Sequence, residues 1–307
     1  MRVFVTGASG HLGSAVIPDL LAAGHQVVGL ARSDSSAAAV AALGAEVRRG
    51  DLDDLGGLAE AAASADGVIH LAFKHEAMRS GGFGDAVEAD RLAVEAMGRA
   101  LADSGPGKPL VIASGTLMLA MIPIEGRAGT EADFALGGPR VDTENMVVAM
   151  AGQGVRSSVV RLPPLVHSDL DHHGFTPSLI AFARAAGYSG YPGDGANRWP
   201  AGHTLDAARL FRLALEKAPA GSRLHAAADE GVPLREIAEA IARNLDLPAK
   251  SVPAEDVPGY FQFLAMFIGL DNLTSSAHTR ELLGWEPTHP GLIADLDTGH
   301  YFAPQAV

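Results

Sequence analysis

Cysteine is absent from the 307-residue sequence, which excludes disulfides, thiol nucleophiles and cysteine-ligated metals. Basic residues are too few to suit a nucleic-acid partner, because 23 lysines and arginines stand against 36 acidic residues and leave a net charge of −13. Long apolar runs are also missing: the best candidate, FLAMFIGL at 263–270, is far shorter than the roughly 20 residues of a membrane-spanning helix. We therefore expect no nucleic-acid and no membrane partner.

The remaining composition is that of an ordinary globular protein, with 48% hydrophobic, 19% charged and only 6% aromatic residues. The first residues, MRVFVTGASG, open directly into a strand and its turn, so we expect no signal peptide and a cytoplasmic protein. The length allows one large α/β unit or two lobes. We expect a small-molecule substrate and either a monomer or a homodimer.

Short apolar runs alternate with helical patterns in the first half of the chain. Strands are predicted at 3–6, 26–31, 45–49, 67–73, 109–114 and 157–163, and helices at about 11–23, 35–43, 54–64, 84–103 and 140–152. The strands are continuous runs of Val, Ile and Leu, which indicates burial on both faces, as in a parallel sheet. Strict alternation of strand and helix predicts right-handed crossovers. The predicted fold class is therefore α/β, with a doubly wound parallel sheet.

After residue 163 the alternation stops. Loops rich in glycine, proline and histidine (SDLDHHG, GYSGYPGDGANRWP) separate helices predicted near 176–186, 204–217 and 233–244. We expect a first domain at 1–163 and a smaller lobe at 164–307, with parts of 197–230 returning to the sheet. The lobe would fold over the carboxyl edge of the sheet, where open α/β sheets bind ligands. Thr204 is predicted to cap its helix, and residues 260–270 are predicted to form an apolar helix.

The segment VTGASGHLGSAV places Gly7, Gly10 and Gly13 between the first strand and the first helix. The first glycine permits a sharp turn, the second lets the backbone approach a pyrophosphate, and the third lets the helix pack closely on the strand. The amino terminus of the helix directs N–H groups and a positive dipole end at the phosphates. A plain glycine-rich loop is the alternative, but the further strand–helix units favour a dinucleotide site. The turn residues Ser9, His11 and Leu12 are expected to contact the dinucleotide too.

The end of the second strand, GLARSD, indicates which dinucleotide is bound. An NAD-preferring site places a carboxylate here to hold the ribose 2′-hydroxyl, whereas this sequence has Ala31 followed by Arg32 and Ser33. The planar fork of arginine and the serine hydroxyl suit a 2′-phosphate, so NADP is predicted in preference to NAD. The alternative is that Arg32 is an ordinary solvated arginine. Asp34 is predicted to cap the helix that follows.

Residues that follow the third and fourth strands are placed to line the same groove. Asp51 and Leu52 come after the third strand and are expected to meet the adenine, although Asp51 could equally cap the next helix. Leu71, Ala72 and Phe73 close the fourth strand. We expect all five to contact the cofactor.

Six segments occur in a characteristic order: TGASGHLG (6–13), GDLDD (50–54), VIHLAF (68–73), VIASGT (111–116), VVRLPPLVHS (159–168) and ELLGWEPTHPGL (281–292). Together they make the chain resemble the extended short-chain dehydrogenases/reductases, also called the NAD-dependent epimerase/dehydratase family. The resemblance covers nearly the whole chain, and TGxxGxxG is its most specific element. It implies a Rossmann-type fold with a carboxyl-terminal substrate lobe. The implied chemistry is hydride exchange between a nicotinamide and a carbon bearing oxygen.

That family carries a tyrosine that moves the proton of the reacting oxygen, a lysine four residues later that holds the nicotinamide ribose, and often a glutamate four further. Glu144 matches the glutamate, which places the lysine position at Arg140 and the tyrosine position at Leu136. The four tyrosines lie beyond this region, at Tyr188, Tyr191, Tyr260 and Tyr301. None has a lysine four residues later, so the resemblance is to an atypical member without the YxxxK pair. Arg140 is expected to hold the ribose or, alternatively, to pair with Glu144 on the surface.

Other residues could take over the proton transfer. Thr116 ends the fifth strand, where the family keeps a hydroxyl that bonds the substrate oxygen, and Ser114 is expected nearer the cofactor. Either hydroxyl could instead cap a turn. His75 follows the fourth strand and titrates near neutrality, so it could act as an acid. Tyr188 and Tyr191 lie on a glycine-rich loop and are further candidates.

The segment HSDLDHHG (167–174) holds three histidines and two aspartates in eight residues. Its spacing matches no common zinc pattern, so no metal is predicted. The segment follows the sixth strand, where the family has a loop that faces cofactor and substrate. Pro163 and Leu165, at the start of this loop, are therefore expected to contact the cofactor.

The predicted function is that of an NADP-dependent oxidoreductase with a non-standard active site, acting on a small carbonyl or alcohol substrate. A non-catalytic NADP-binding sensor or regulatory protein is the first alternative, because it suits the loss of both catalytic residues. An epimerase or dehydratase is the second. The carboxyl-terminal lobe favours catalysis or small-molecule binding, since it would roof a pocket. This fold hosts many chemistries, so the fold by itself does not choose among them.

Overall fold

The computed structural model describes residues 1–75, 81–124 and 126–303. The strands are β1 (Arg2–Thr6), β2 (Gln26–Ala31), β3 (Glu46–Arg49), β4 (Gly67–His70), β5 (Pro109–Gly115), β6 (Arg156–Leu162), β7 (Leu165–His167), β8 (Ser189–Pro192), β9 (Arg198–His203), β10 (Ser222–His225), β11 (Asp229–Pro233) and β12 (Ala249–Val252). The α-helices are α1 (His11–Ala22), α2 (Asp34–Ala42), α3 (Leu55–Ala63), α4 (Phe83–Asp103), α5 (Val141–Ala149), α6 (Phe175–Ala186), α7 (Thr204–Lys217), α8 (Leu234–Leu245), α9 (Val257–Phe261), α10 (Ala277–Leu283) and α11 (Leu292–Leu296). Short 3₁₀ turns occupy Thr116–Met121, Met150–Gln153 and Gln262–Leu264.

A seven-stranded sheet, in the order β10–β6–β5–β4–β1–β2–β3, forms the centre of the molecule. All its strand pairs are parallel. Helices α1 and α7 cover one face with core residues such as Ile17 and Phe211, and α3, α4 and α5 cover the other with Leu58 and Met97. Burial on both faces explains why the strands are continuous apolar runs. The predicted doubly wound parallel sheet is confirmed.

The order of the strands reverses at β1, which pairs with β2 on one side and with β4 on the other. Helices leave the sheet in opposite directions at such a point and open a crevice beyond the carboxyl ends of the strands. The glycine-rich turn follows β1, and residues 71–73 follow β4. The fold therefore brings these two segments to one crevice.

The segments after β6 build a second core and also complete the first. Strands β7, β9 and β11 form a three-stranded sheet, and β8 pairs with β12. Trp199 and Phe261 are fully buried in the core of this lobe. Helix α7, however, packs on the main sheet with α1, and β10 extends that sheet beside β6. The domain boundary at 163/164 stays a prediction.

Several local predictions were wrong. The loop GYSGYPGDGANRWP contains strand β8 and the start of β9, and glycine and proline had concealed both because they are rare inside strands. Residues 260–270 do not form one helix: α9 ends at Phe261 and a 3₁₀ turn follows.

Two helix caps were each predicted one residue too late. His203, not Thr204, is the N-cap of α7, and its side chain accepts a hydrogen bond from the Leu205 amide. Ser33, not Asp34, is the N-cap of α2, with its hydroxyl accepting from the Ser36 amide. In both cases the residue predicted as the cap is the first residue of the helix.

Candidate functional site: a nucleotide crevice with an arginine at its edge

The glycine-rich turn leaves no room for side chains at two of its positions. Gly7 has a φ of +65°, and a Cβ there would lie 2.7 Å from the Ala72 amide nitrogen. A Cβ at Gly13 would lie 2.3 Å from the Gly7 carbonyl oxygen. The N-cap of α1 is Gly10, and among the described residues no side chain caps this helix. The amino-terminal N–H groups of α1 are thus available to an anion, and the turn fits a dinucleotide pyrophosphate.

A buried chain of hydrogen bonds supports this turn from below. Thr6 Oγ1 accepts from the amides of Leu71 and Ala72, at 3.2 Å each, and lies 2.8 Å from His70 Nδ1. His70 Nε2 lies 3.2 Å from Asp90 Oδ1 on α4. These hydrogen bonds tie the ends of β1 and β4 together and so fix the two walls of the crevice. Sequence reasoning missed this role of Asp90, which lies 20 residues from its partner.

At the end of β2 the structure places Arg32 and Ser33 on the surface. The Ser33 hydroxyl caps α2, and it also lies 2.9 Å from the Ser35 hydroxyl. Their predicted contact with a 2′-phosphate stays a prediction.

The predicted alternative in which Asp51 caps the next helix is wrong. Asp51 Oδ1 accepts from the amides of Asp53 and Asp54, at 2.8 and 3.2 Å, and so closes a turn. Asp54, not Asp51, caps α3 by accepting from the Gly57 amide at 2.9 Å. Leu52 is buried beneath the turn, in the core between the sheet and α3. Adenine contacts by Asp51 and Leu52 stay predictions.

Arg140 reaches the crevice from the other side. It is the N-cap of α5 with a left-handed backbone (φ 63°), and its Nη2 donates to the Ala113 carbonyl oxygen on β5 at 3.0 Å. Its guanidinium carbon lies 4.2 Å from the centroid of the Phe73 ring. The alternative in which Arg140 pairs with Glu144 on the surface is therefore wrong. Leu136, which the resemblance assigns to the position of the family's tyrosine, is 91% exposed and lies outside the helix.

Glu144 is instead the centre of a buried charge cluster. It is 1% exposed, and its carboxylate accepts from Arg161 Nε at 3.1 Å to each oxygen, from Arg161 Nη2, and from Arg223 Nε at 2.8 Å. The Ser114 hydroxyl donates to the same carboxylate at 3.0 Å. Burial raises the pKa of Glu144, but the hydrogen bonds and charges of Arg161, with Arg223 and Ser114, outweigh it and leave the pKa below its usual value. Sequence reasoning did not find Arg161 and Arg223, which are apart in the chain.

His225 extends this cluster as a neutral side chain. Its Nδ1 lies 2.8 Å from the Ser275 carbonyl oxygen and its Nε2 lies 3.2 Å from Arg161 Nη1. The ring therefore carries its proton on Nδ1 and accepts from the arginine. Burial lowers the pKa of His225 to about 4, in keeping with that neutral form.

Thr116 does not offer a free hydroxyl. It is fully buried, and its Oγ1 donates to Asn272 Oδ1 at 2.9 Å. The Asn272 side-chain amide donates back to the Thr116 carbonyl oxygen at 3.0 Å. This reciprocal pair fastens the lobe to the end of β5. The expected contact between the Thr116 hydroxyl and a substrate oxygen is therefore not supported by the geometry.

The predicted substitute acids lie in different places. The Tyr188 ring stacks at a tilt on Tyr260, with 5.1 Å between centroids, and Tyr191 lies under the Arg235 guanidinium. The contacts described for both rings are to residues of the second lobe. Both rings pack against the core of that lobe. The His75 ring, by contrast, meets the edge of Phe73 at 5.2 Å between centroids, next to the crevice.

The HSDLDHHG segment contacts the glycine-rich turn through His11. His11 Nε2 lies 2.7 Å from Thr204 Oγ1, and its Nδ1 lies 3.8 Å from Asp171 Oδ1. Burial, together with the neighbouring histidines, lowers the pKa of His11 to about 4, and burial raises the pKa of Asp171 to about 6. Within the described ranges no group of three or more His, Cys, Asp or Glu side chains is arranged to hold a metal. The segment thus lies beside the nucleotide turn.

Pro163 and Leu165 follow β6 and are both buried. Leu165 begins β7 opposite Ala201 and belongs to the core of the lobe, with 1% of its surface exposed. That burial leaves Leu165 almost no surface for a cofactor. The contact expected of Pro163 stays a prediction.

The open glycine-rich turn at the switch point of a doubly wound sheet defines a dinucleotide-binding α/β protein. The chain belongs to the NAD dependent epimerase/dehydratase family, which it matches over residues 3–227. Family and fold together support an NAD(P)-dependent function. No helix in the described part of the chain has the length and apolarity to cross a membrane.

Individual proteins are also similar to this chain. An uncharacterized protein of Schizosaccharomyces pombe is 45% identical over 98% of this chain and 100% of its own length. A 4-hydroxy-2-methyl-3-oxo-4-farnesyl-3,4-dihydroquinoline-1-oxide ketoreductase of Stigmatella aurantiaca is 30% identical over 72% of this chain and 66% of its own. The structure of a dTDP-glucose 4,6-dehydratase from Streptomyces venezuelae, solved with NAD bound, superposes with a TM-score of 0.77 at 20% identity, covering 98% of this chain and 97% of that chain. At that identity the likeness concerns the fold.

Proposed function

We propose that the chain binds NADP and acts as an oxidoreductase on a small carbonyl or alcohol substrate. The observation that carries this proposal is the position of Arg140. Its guanidinium lies over Phe73, which follows β4, and bonds the carbonyl oxygen of Ala113, two residues before the end of β5. A cation thus stands at the edge of the nucleotide crevice, at the position that the resemblance assigns to the family's lysine. The ketoreductase among the relatives supports a carbonyl substrate.

Three parts of the cofactor would each have a protein group to hold them. The glycine-rich turn and the amino terminus of α1 would take the pyrophosphate. Arg32 and Ser33 would take the 2′-phosphate, and Arg140 the hydroxyls of the ribose next to the nicotinamide. Guanidinium N–H groups donate in a planar fork, so Arg140 could bond ribose oxygens while it stays on Ala113. The nicotinamide, when bound, would supply hydride exchange with a carbon bearing oxygen.

Proton transfer in this site would differ from that of relatives with a tyrosine. Leu136 carries no proton and is exposed, and the Thr116 hydroxyl is already bonded to Asn272. Arginine keeps its proton at any working pH and cannot replace the acid. We propose that water supplies the proton, or His75 from its place beside Phe73. A water route predicts a turnover rate nearly independent of pH, and a histidine route predicts a rate that falls as pH rises through the neutral range.

The exposed Leu136 and the bonded Thr116 hydroxyl also favour a second candidate, a non-catalytic NADP sensor. A protein that only binds NADP needs Arg140 and the glycine-rich turn, but it needs no proton donor. The buried Thr116 hydroxyl and the exposed Leu136 suit that function. The two candidates make the same prediction for binding and opposite ones for turnover.

A binding titration run beside a turnover assay tests the proposal. Native protein, Arg140→Ala and Arg140→Lys would be titrated with NADPH by fluorescence, and NADPH oxidation would be followed over a panel of small ketones and aldehydes. We expect Arg140→Ala to weaken NADPH about tenfold or more, the loss of a hydrogen bond to a charged group, and Arg140→Lys to restore much of it. Arg209→Ala is the matched control, because Arg209, which lies on α7, also donates to one backbone carbonyl oxygen, that of Glu286.

Three outcomes separate the possibilities. Tight NADPH binding with turnover supports the oxidoreductase. Tight binding with no turnover over the whole panel supports the sensor. Arg140→Ala binding NADPH as well as the native protein does would remove Arg140 from the site.

A further inference from the structure

Strand pairing brings a second arginine to the end of β2, although it lies 17 positions after Arg32 in the chain. Arg49 is the last residue of β3, and its register partner is Ala31, the last residue of β2. Neighbouring strands lie about 4.8 Å apart, so Arg49 leaves the sheet close to the point where Arg32 does. Sequence separation conceals this proximity, which only strand pairing produces.

Arg49 forms an ion pair with a neighbouring acidic residue, Asp34. Its Nη2 lies 3.1 Å from Oδ1 of Asp34, the first residue of α2. The Arg49 side chain is 51% exposed and the Asp34 side chain is fully exposed. An ion pair in water contributes little to stability, so Arg49 can leave Asp34 at small cost when a stronger anion arrives.

We propose that Arg49 is a specificity-determining residue, which binds the 2′-phosphate of NADP together with Arg32 and pairs with Asp34 when that phosphate is missing. The inference rests on the proposed NADP-dependent function and assigns a further residue to it. A phosphate monoester carries a charge of about −1.5 to −2 near pH 7 and accepts two guanidinium N–H bonds at once, whereas Asp34 offers a single negative charge. A ribose 2′-hydroxyl is neutral, so with NAD the arginine stays on Asp34.

The adjacent arginine provides a matched control. Arg48 belongs to the same strand, but its side chain lies on the opposite face of the sheet, where its Nη2 bonds Glu60 Oε2 at 2.7 Å. Arg48→Ala removes the same charge from the same strand without touching the end of β2. Any effect of overall charge on cofactor binding would appear in both variants.

The test is a set of titrations of the full chain with NADPH, NADH and 2′,5′-ADP, which carries the 2′-phosphate but no nicotinamide. We expect Arg49→Ala to weaken NADPH and 2′,5′-ADP about tenfold, as for one lost bond to a charged group, and NADH less than twofold. Arg48→Ala should change none of the three. Asp34→Asn frees Arg49 and should strengthen NADPH at least twofold, with NADH unchanged.

Two results would overturn the inference while the proposed function stands: Arg49→Ala binding NADPH as the native protein does, or losing NADH and NADPH equally. Equal native affinities for NADH and NADPH would overturn it together with the NADP preference. Native protein that binds neither cofactor would overturn the proposed function itself.

Discussion

The guanidinium of Arg140 lies on the face of the Phe73 ring, 4.2 Å from its centroid, and so joins the amino terminus of α5 to the end of β4. An aromatic face attracts a cation, and the contact holds the guanidinium plane in one orientation. The left-handed backbone of Arg140 (φ 63°) directs the side chain there. A fixed guanidinium at the crevice edge is what a ribose-binding role requires.

We expect Phe73→Leu to weaken NADPH binding about twofold to fivefold, because a cation–π contact of this kind contributes about 0.5–1 kcal/mol. The effect should vanish in an Arg140→Ala background, because no guanidinium is then left for the ring at position 73 to hold. A double-mutant cycle of fluorescence titrations measures this coupling. Phe83→Leu, at an exposed position that begins α4, is the control. Equal losses in both backgrounds would show that the ring contacts the cofactor independently of Arg140.

Gly13→Ala is expected to abolish measurable NADPH binding and to lower stability. The added Cβ would lie 2.3 Å from the Gly7 carbonyl oxygen and 2.5 Å from that of Ala8, and both are backbone atoms that cannot rotate away. The helix must then move off the turn that holds the pyrophosphate. Gly152→Ala is the matched control, because nothing lies within 4 Å of a Cβ there. Titration and thermal unfolding of both variants check the prediction, and NADPH binding by Gly13→Ala at native affinity would contradict it.

Glu144→Gln should lower the free energy of unfolding by about 3–5 kcal/mol, because it leaves the buried Arg161 without its counter-charge. Glu95→Gln, which removes a carboxylate that pairs with Arg91 and Arg99 on the surface of α4, should cost less than about 1 kcal/mol. Urea unfolding at pH 7.5 gives both values. A loss at Glu144 no larger than that at Glu95 would mean that Arg161 and Arg223 are solvated in solution.

The neutral His225 makes stability depend on pH. Its pKa is about 4 in the folded protein, whereas an unperturbed histidine has a pKa of 6.5, so the unfolded chain binds more protons between these two values. Stability from this residue is present at pH 7 and is lost as pH falls, by about 2 kcal/mol at pH 5. His225→Gln should therefore lose less stability than the native protein between pH 7.5 and 5. The exposed His278→Gln should follow the native curve, and parallel curves for all three proteins would contradict the prediction.

The sequence was sufficient for those features that depend on neighbouring residues. Continuous apolar runs predicted the parallel strands, and the spacing of Gly7, Gly10 and Gly13 predicted the turn at the switch point. The resemblance to the family, counted back from Glu144, assigned Arg140 to the cofactor ribose, with a surface pair to Glu144 as the alternative. In each case the determining signal lies within one element or one turn.

Features that depend on pairing between distant residues could not be predicted. Thr116 was expected from the resemblance to bond the substrate oxygen, but its hydroxyl donates to Asn272, 156 positions away. Glu144 was matched to a family position, yet its buried partners Arg161 and Arg223 come from β6 and β10, whose adjacency is set by the sheet. Strands β8 and β9 were hidden by glycine and proline, because their stability comes from lobe packing.

The account depends most on Arg140 holding the cofactor in the crevice, and a crystal structure of the native protein with NADPH tests that directly. We expect the pyrophosphate at the amino terminus of α1 and the Arg140 guanidinium within about 3.2 Å of a hydroxyl of the ribose next to the nicotinamide. A complex in which that ribose is held by other side chains, while Arg140 contacts only Phe73 and Ala113, would contradict the account.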